Sequence, residues 1–245
     1  MILRSRVRHC LFLNWALPET VMPQPAPGLR YQVHHHEGEN WVFISALLFR
    51  HEGLHLPSSP WPRLSYPQLT LRSYILDEDD VPSVLFHRMW VPAWVVPVAR
   101  WVGRQMAESG SLHFPSSVVE CEQASQWSAR AAGKLRLATR PGAPRLGVGP
   151  QLGGWDATVD YFRQRPRGYG YGPSGLRRVE TSSGATTILP VHVDLERADL
   201  LSGTLALGGT WPELHSAWVC PELTLDFEIL PGKKAALARQ LPAPG

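Results

Sequence analysis

Proline and glycine punctuate this chain so densely that no long helix can run through it. The 245 residues include 23 prolines and 21 glycines, about one in every six positions. A proline inside a helix removes a hydrogen bond and clashes with the preceding turn. Helices are therefore confined to the gaps, and short strands joined by turns are what remains. Apolar residues make up 44% of the chain, enough to give those strands a core.

The clearest strand signal is Tyr66 to Phe86, Y-P-Q-L-T-L-R-S-Y-I-L-D-E-D-D-V-P-S-V-L-F. From Gln68 to Ile75 the residues alternate with period two. Gln68, Thr70, Arg72 and Tyr74 share one face, and Leu69, Leu71, Ser73 and Ile75 the other. The acidic run Asp77 to Asp80 supplies turn chemistry, and Val84 to Phe86 resumes an apolar strand. The segment predicts a β-hairpin with a loop of about four to six residues. Its first strand carries one polar face with a single cation at the centre, which suits either a cleft wall or a solvated sheet face.

Taken in order, Val7 to Trp15 predicts a strand and Pro18 to Pro27 a proline-rich connection. Leu29 to Val33 and Trp41 to Phe49 form a second strand pair around a polar tip, His34 to Asn40. Pro92 to Arg104 holds a short helix, with Val95, Val98, Ala99 and Val102 at helical spacing. Val118 to Ser128 and Lys134 to Thr139 make another antiparallel pair. Asp156 stands as the N-cap of a helix running to about Gln164. Gly168 to Gly172 and Leu176 to Thr181 read as a further hairpin. Pro190 to Leu201 mixes strand and helix signals, and Leu223 to Leu230 is a closing strand. No linker divides the chain, so residues 1–231 are expected to form a single α+β domain on curved antiparallel sheet. Residues 232–245 are expected to be a flexible tail.

Charge and cysteine usage narrow the function classes. The 24 basic residues include only three lysines, Lys134, Lys233 and Lys234. Arginine forks suit carboxylates and phosphates. No stretch interleaves enough of them with aromatics to make a nucleic-acid surface, and no nucleic-acid partner is expected. Cys10, Cys121 and Cys220 are odd in number and widely spaced, which fits a reducing, cytoplasmic setting better than a disulfide framework. Arg4 to Leu17 resembles a signal peptide, but Asn14 and Trp15 break its apolar run and no small-residue cleavage site follows. No apolar run is long enough to span a membrane; Val91 to Val102 comes nearest, with two prolines and Arg100 inside it.

Several motifs carry chemistry on paper. His51-Glu52-Gly53-Leu54-His55 is a literal H-E-x-x-H, which on a helix would set two histidines around zinc with a glutamate to activate water. Gly53 and the nearby Pro57 favour a loop leaving a strand instead, so a zinc-dependent hydrolase is the alternative reading. His34-His35-His36-Glu37 resembles a metal tract at a hairpin tip. Gly168-Tyr169-Gly170-Tyr171-Gly172, beside Arg165 and Arg167, could hold an anion but reads better as a strand or turn. No G-x-S-x-G is present, so a hydrolase elbow is unsupported. Arg72 stands apart. A guanidinium in mid-strand keeps its proton and must reach water, an acid or a ligand, so it either pairs with a core carboxylate or recognises an anion or carbonyl in a pocket.

Leu69-Thr70-Leu71-Arg72-Ser73-Tyr74-Ile75 followed by Val81-Pro82-Ser83-Val84-Leu85-Phe86 resembles the YqjF-like family of unknown function. Trp15, Gly38 to Phe43, Ala99-Arg100, Asp160-Tyr161-Phe162 followed by Arg167, and Pro190 to Leu195 fit it too. That family is similar to acetoacetate decarboxylase, which implies a cone-like β-barrel within a larger antiparallel sheet. Gly133 to Thr139, and Ala217-Trp218 through Pro221 to Leu225, look like the decarboxylase itself. The resemblance implies a Schiff-base lysine beside a second lysine around Trp90 to Arg104, a stretch that contains none. Lys134 belongs to another strand, and Glu122 is the other titrating candidate. The family's glutamate and asparagine ahead of the arginine stand here as Gln68 and Thr70. The expectation is a small-molecule-binding protein with no catalytic residue, no metal and no cofactor. Its organic or anionic ligand would be lined by Arg72, Gln68, Tyr74, Trp90 and Trp94. A structural or interaction module is the third reading, and homo-oligomerisation is left open.

Overall fold

The computed structural model describes residues 2–101, 106–115, 124–172, 175–184, 186–205 and 212–229. Its strands are β1 (Ile2–Pro18), β2 (Arg30–Tyr31), β3 (Val33–His36), β4 (Glu39–Leu56), β5 (Ser59–Leu76), β6 (Pro82–Val91) and β7 (Glu108–Ser109). They continue with β8 (Ser111–His113), β9 (Ser125–Arg130), β10 (Lys134–Pro141), β11 (Arg167–Gly172), β12 (Gly175–Ser183), β13 (Leu189–Arg197) and β14 (Ser216–Ile229). Short helices α1 (Val96–Trp101), α2 (Trp155–Arg163) and α3 (Asp199–Leu205) fill three of the gaps between breakers.

Seven strands close on themselves in the order β1-β4-β5-β6-β11-β12-β14, with β14 returning to pair β1. Within the ring β6 and β11 run parallel and the other pairs are antiparallel. From β14 a flank continues through β13, β10, β9 and β8. The fold is thus mostly antiparallel β with a few short helices. The seam between β1 and β14 is held in register along nearly its whole length, with Phe12 opposite Trp218 and their rings stacked at 5.1 Å.

Side-chain alternation divides the core into two layers. Leu11, Leu13 and Trp15 of β1, Leu69 and Leu71 of β5, and Trp90 of β6 pack outward against Trp127, Leu135 and Leu137 of the flank. Val7, Cys10, Phe12, Phe43, Leu47 and Tyr74 turn inward, where Val159 and Phe162 of α2 join them. The step from Val7 to Cys10 breaks the period of two. His9, at φ 52°, sits in a register shift between Arg8 and Leu11, and this bulge re-phases the strand. Strand β4 is buried on both faces, so its run V-F-I-S-A-L-L-F lacks alternation.

The hairpin expected from Tyr66 to Phe86 is present as β5 and β6. The acidic run between them is more than a turn. Asp77 is buried and accepts hydrogen bonds from the backbone N–H groups of Asp79 and Val81. The β3–β4 hairpin is longer than expected. His34 to His36 belong to β3, and the tip is Glu37-Gly38, both at positive φ. The cap of α2 is Gly154, and Asp156 stands in the first turn instead. The pair β9–β10 is as expected from Ser125 onward, while 118–123 and the tail 232–245 lie outside the described residues.

Candidate functional site

The inner face of the ring encloses a cavity of about 700 Å³. Along β5 the wall is Tyr66, Gln68, Thr70 and Arg72, the last three belonging to the polar face that the sequence period selects. Burying three of these polar residues requires partners. Gln68 Nε2 donates to Thr70 Oγ1 at 2.9 Å. Arg72, half-buried, donates from Nη2 to the Phe162 carbonyl at 2.9 Å and to Tyr74 Oη at 3.2 Å. Its guanidinium carbon lies 5.5 Å from the Phe12 ring centre and 5.4 Å from that of Tyr74. Its Nε is buried without a hydrogen-bond partner. No carboxylate faces it among the described residues, so the core ion pair is not how Arg72 is accommodated.

Tyr74 lies one step beyond the cavity wall, fully buried, and belongs to a directed chain of hydrogen bonds. Its hydroxyl is 2.6 Å from Ser45 Oγ, Ser45 donates to Asn14 Oδ1, and Asn14 Nδ2 donates to Ser216. With Ser45 donating onward, Tyr74 donates to Ser45, leaving its oxygen to accept from Arg72. The chain fixes the arginine from behind.

A second guanidinium, which the sequence linked only to a glycine-tyrosine run, joins it. Arg165 is 6% exposed. It donates to Gln32 Oε1 at 2.8 Å and lies over the rings of Tyr161 and Tyr74 at 4.1 and 5.0 Å. Its Nε is also buried without a partner. Burial lowers its pKa, and nearby Arg72 adds to this against the opposing pull of the two tyrosines. Arg163 completes the cationic end, and no aspartate or glutamate lines the cavity among the described residues.

Of the five expected ligand residues, Arg72 and Gln68 line the cavity, and Tyr74 supports Arg72 from behind. The two tryptophans are elsewhere. Trp90 pairs with Leu69 across β5 and β6 and packs in the outer core layer. Trp94 is 56% exposed, with its edge against Tyr66.

His51-Glu52-x-x-His55 falls within strand β4, not on a helix. Both histidines border the cavity, but His51 Nδ1 engages Ser5 Oγ at 2.9 Å and Glu52 pairs with Arg8 at 2.9 Å. Helical i, i+4 geometry is lost, and no group of three His, Cys, Asp or Glu suited to a metal exists among the described residues. The same holds for His34 to Glu37, where His34 packs against Phe43 and Tyr161. The helix on which the zinc-hydrolase alternative depends is therefore not formed.

Of the stretch expected to carry catalytic lysines, residues 90–101 include the end of β6 and α1 and present Val98 and Ala99 to the cavity, while 102–104 lie outside the described residues. Lys134 is exposed at the start of β10 in the flank, and Glu122 lies outside the described residues.

Residues 4–151 match the model of DUF2071, a family of uncharacterized conserved proteins. No curated protein matches the chain. Among solved structures, the enduracididine biosynthesis enzyme MppR, complexed with the condensation product of pyruvate and imidazole 4-carboxaldehyde, superposes with a TM-score of 0.59. It is 12% identical over 95% of this chain and 88% of that one. The same enzyme complexed with pyruvate gives 0.53 at 12% identity, covering 95% and 88%. An acetoacetate decarboxylase-like enzyme from Sphingomonas wittichii RW1 gives 0.53 at 15% identity, over 93% and 90%. Those identities speak for the fold alone. The chain belongs to the DUF2071 family and has an acetoacetate decarboxylase-like fold.

Proposed function

We propose that the protein binds a small organic anion inside the ring, with Arg72 as the anchor and Arg165 beside it. One observation carries this reading: two guanidiniums, each with a buried Nε lacking a partner among the described residues, meet at a 700 Å³ cavity that no described aspartate or glutamate lines. A buried cation without a counter-charge is costly, and an anionic ligand removes that cost. Gln68 supplies a further polar contact on the same wall. The cavity also argues against a purely structural module, whose ring would be filled by its own side chains. Schiff-base decarboxylation is not part of the proposal, because that chemistry needs a nucleophilic lysine and the described wall has none.

Residues 1–231 are taken as one domain, since β1 and β14, the first and last described strands, pair with each other. A reducing, cytoplasmic setting suits Cys10 and Cys220, which are cross-strand partners yet free.

Calorimetric titration with a panel of organic carboxylates and their neutral amides tests the reading. Arg72→Met keeps an unbranched, flexible stem, though a shorter one, and removes the charge. It is expected to weaken carboxylate binding by about 10- to 100-fold, the range of a charge-assisted hydrogen bond, with the amides little affected. Equal affinity in wild type and a folded Arg72→Met variant would sink the proposal. Borohydride treatment with pyruvate is expected to leave the protein mass unchanged.

A further inference from the structure

The cavity is polarised along its length. At one end stand Arg72, Arg163 and Arg165. At the other, β1, β4, β5 and β14 bring large apolar side chains together: Leu3 is the cross-strand partner of Phe227, Leu54 of Leu64, and Arg4, next to Leu3, of His55. All of these except Arg4 line the cavity, and Leu3, Leu54, Leu64 and Phe227 are only half-buried. His55 stands at that end with its Nδ1 2.6 Å from the Gly53 carbonyl, and His51, also lining the cavity, has its ring 5.8 Å from that of Phe227. Between the two ends Val7, Leu47 and Phe49 of β1 and β4 supply apolar wall, facing Gln68 and Thr70 of β5, which are hydrogen-bonded to each other.

From Arg72 to Leu64 along β5 the wall is about 26 Å long, at ~3.3 Å per residue. By volume, a space of 700 Å³ equals roughly twenty water molecules of liquid, and so takes a ligand of about that many non-hydrogen atoms. A pyruvate-sized acid would satisfy the arginines and leave most of the apolar wall bare.

We infer that the ligand is a long-chain monocarboxylate of the fatty-acid type, its carboxylate at Arg72 and Arg165 and its hydrocarbon chain running toward Leu54, Leu64 and Phe227. This rests on the anion-binding reading above and narrows it to one chemical class. Charge complementarity fixes the head, and the length and apolar character of the wall fix the tail. Each methylene buried along it strengthens binding roughly fourfold.

The test is titration of the full chain with pyruvate, hexanoate, dodecanoate and uncharged 1-dodecanol below their aggregation limits, repeated with Leu54→Gln. Leu54 is a half-buried side chain away from the arginines, and the fold of the variant is checked by its thermal transition. The expected result is one dodecanoate per chain, bound at least about a hundredfold more tightly than hexanoate. Dodecanol is expected to bind at least tenfold more weakly than dodecanoate. Leu54→Gln is expected to weaken dodecanoate about fivefold while leaving hexanoate unchanged. Pyruvate or hexanoate binding as tightly as dodecanoate overturns the long-chain class and leaves the anion site standing. Dodecanol matching dodecanoate removes the role of the arginines and overturns both readings, as does the failure of every carboxylate to bind.

Discussion

Acidifying the protein from pH 7 to pH 5 is expected to lower its stability by about 4 kcal/mol, through two histidines buried in neutral form. His51 is 2% exposed and His215 1% exposed. Burial pushes each down to about 4, opposed by Gln68 for His51 and by the Pro150 carbonyl for His215. The groups around His51 are Ser5, Phe49, Tyr66, Gln68 and Phe227, and none is an acid that would favour the imidazolium. His215 donates from Nε2 to Pro150 and packs on Phe43 and Phe162. Between pH 6.5 and 4 the unfolded chain holds protons on these rings that the folded chain does not. Stability is therefore full above pH 6.5 and falls steadily as pH drops toward 4. At pH 5 each ring accounts for about 2 kcal/mol, a large share of a domain's usual 5–15 kcal/mol. His87, half-buried and also lowered to about 4 by burial and by Arg88, steepens the fall. Urea midpoints measured from pH 8 to 4.5 check this. In His51→Gln the slope should shrink by about one proton's worth, and a flat profile in the wild type would refute the account.

How much of this was legible follows from where periodicity survives. On β5 it survives intact, so Gln68, Thr70 and Arg72 could be assigned to one wall from spacing alone. On β6 it does not. A register shift between Leu71 and Arg72 carries Trp90 to the face of Leu69, and a sequence without its pairing partner gives no sign of that slip. His51 and His55 show the reverse case, a motif whose letters match while its helix is absent. Arg165 was visible only as a basic residue near glycines and tyrosines. Its approach to Arg72 depends on α2 and on the parallel pairing of β11 with β6, a long-range contact that local pattern cannot encode. The missing lysine was legible with certainty, because an absent residue type needs no geometry.

That parallel pairing leads to the second large effect. Asp77→Ala is expected to cost about 3 kcal/mol or more, the penalty for breaking a buried ion pair from one side. The Asp77 carboxylate is fully buried, and Arg167 Nη1 donates to its Oδ2 at 2.8 Å. Tyr169 donates to the same oxygen at 2.8 Å, while Oδ1 takes the N–H groups of Asp79 and Val81 at 3.0 Å. Burial alone would raise the pKa of this carboxyl. The hydrogen bonds from Arg167, Tyr169, Val81 and Asp79 outweigh it and hold the group at about 2. Its contribution is therefore complete above pH 4 and is lost only as pH falls from about 4 toward 2, well below the histidine transition. Asp77→Asn keeps an acceptor for the turn amides and loses the charge, so it should fall between alanine and wild type. Tyr169→Phe should cost only about 1 kcal/mol, one hydrogen bond. The same variants carry a functional reading. Arg167 follows two residues after Arg165, and Asp77 ties that start of β11 to the end of β5. Releasing the tie frees Arg165 from its place over Tyr74, so Asp77→Ala at a temperature where it remains folded should also weaken carboxylate binding. Urea denaturation and calorimetric titration on the same preparation separate the two. A stability loss with unchanged carboxylate affinity would confine Asp77 to the fold and show that Gln32 and the aromatic neighbours hold Arg165 without it.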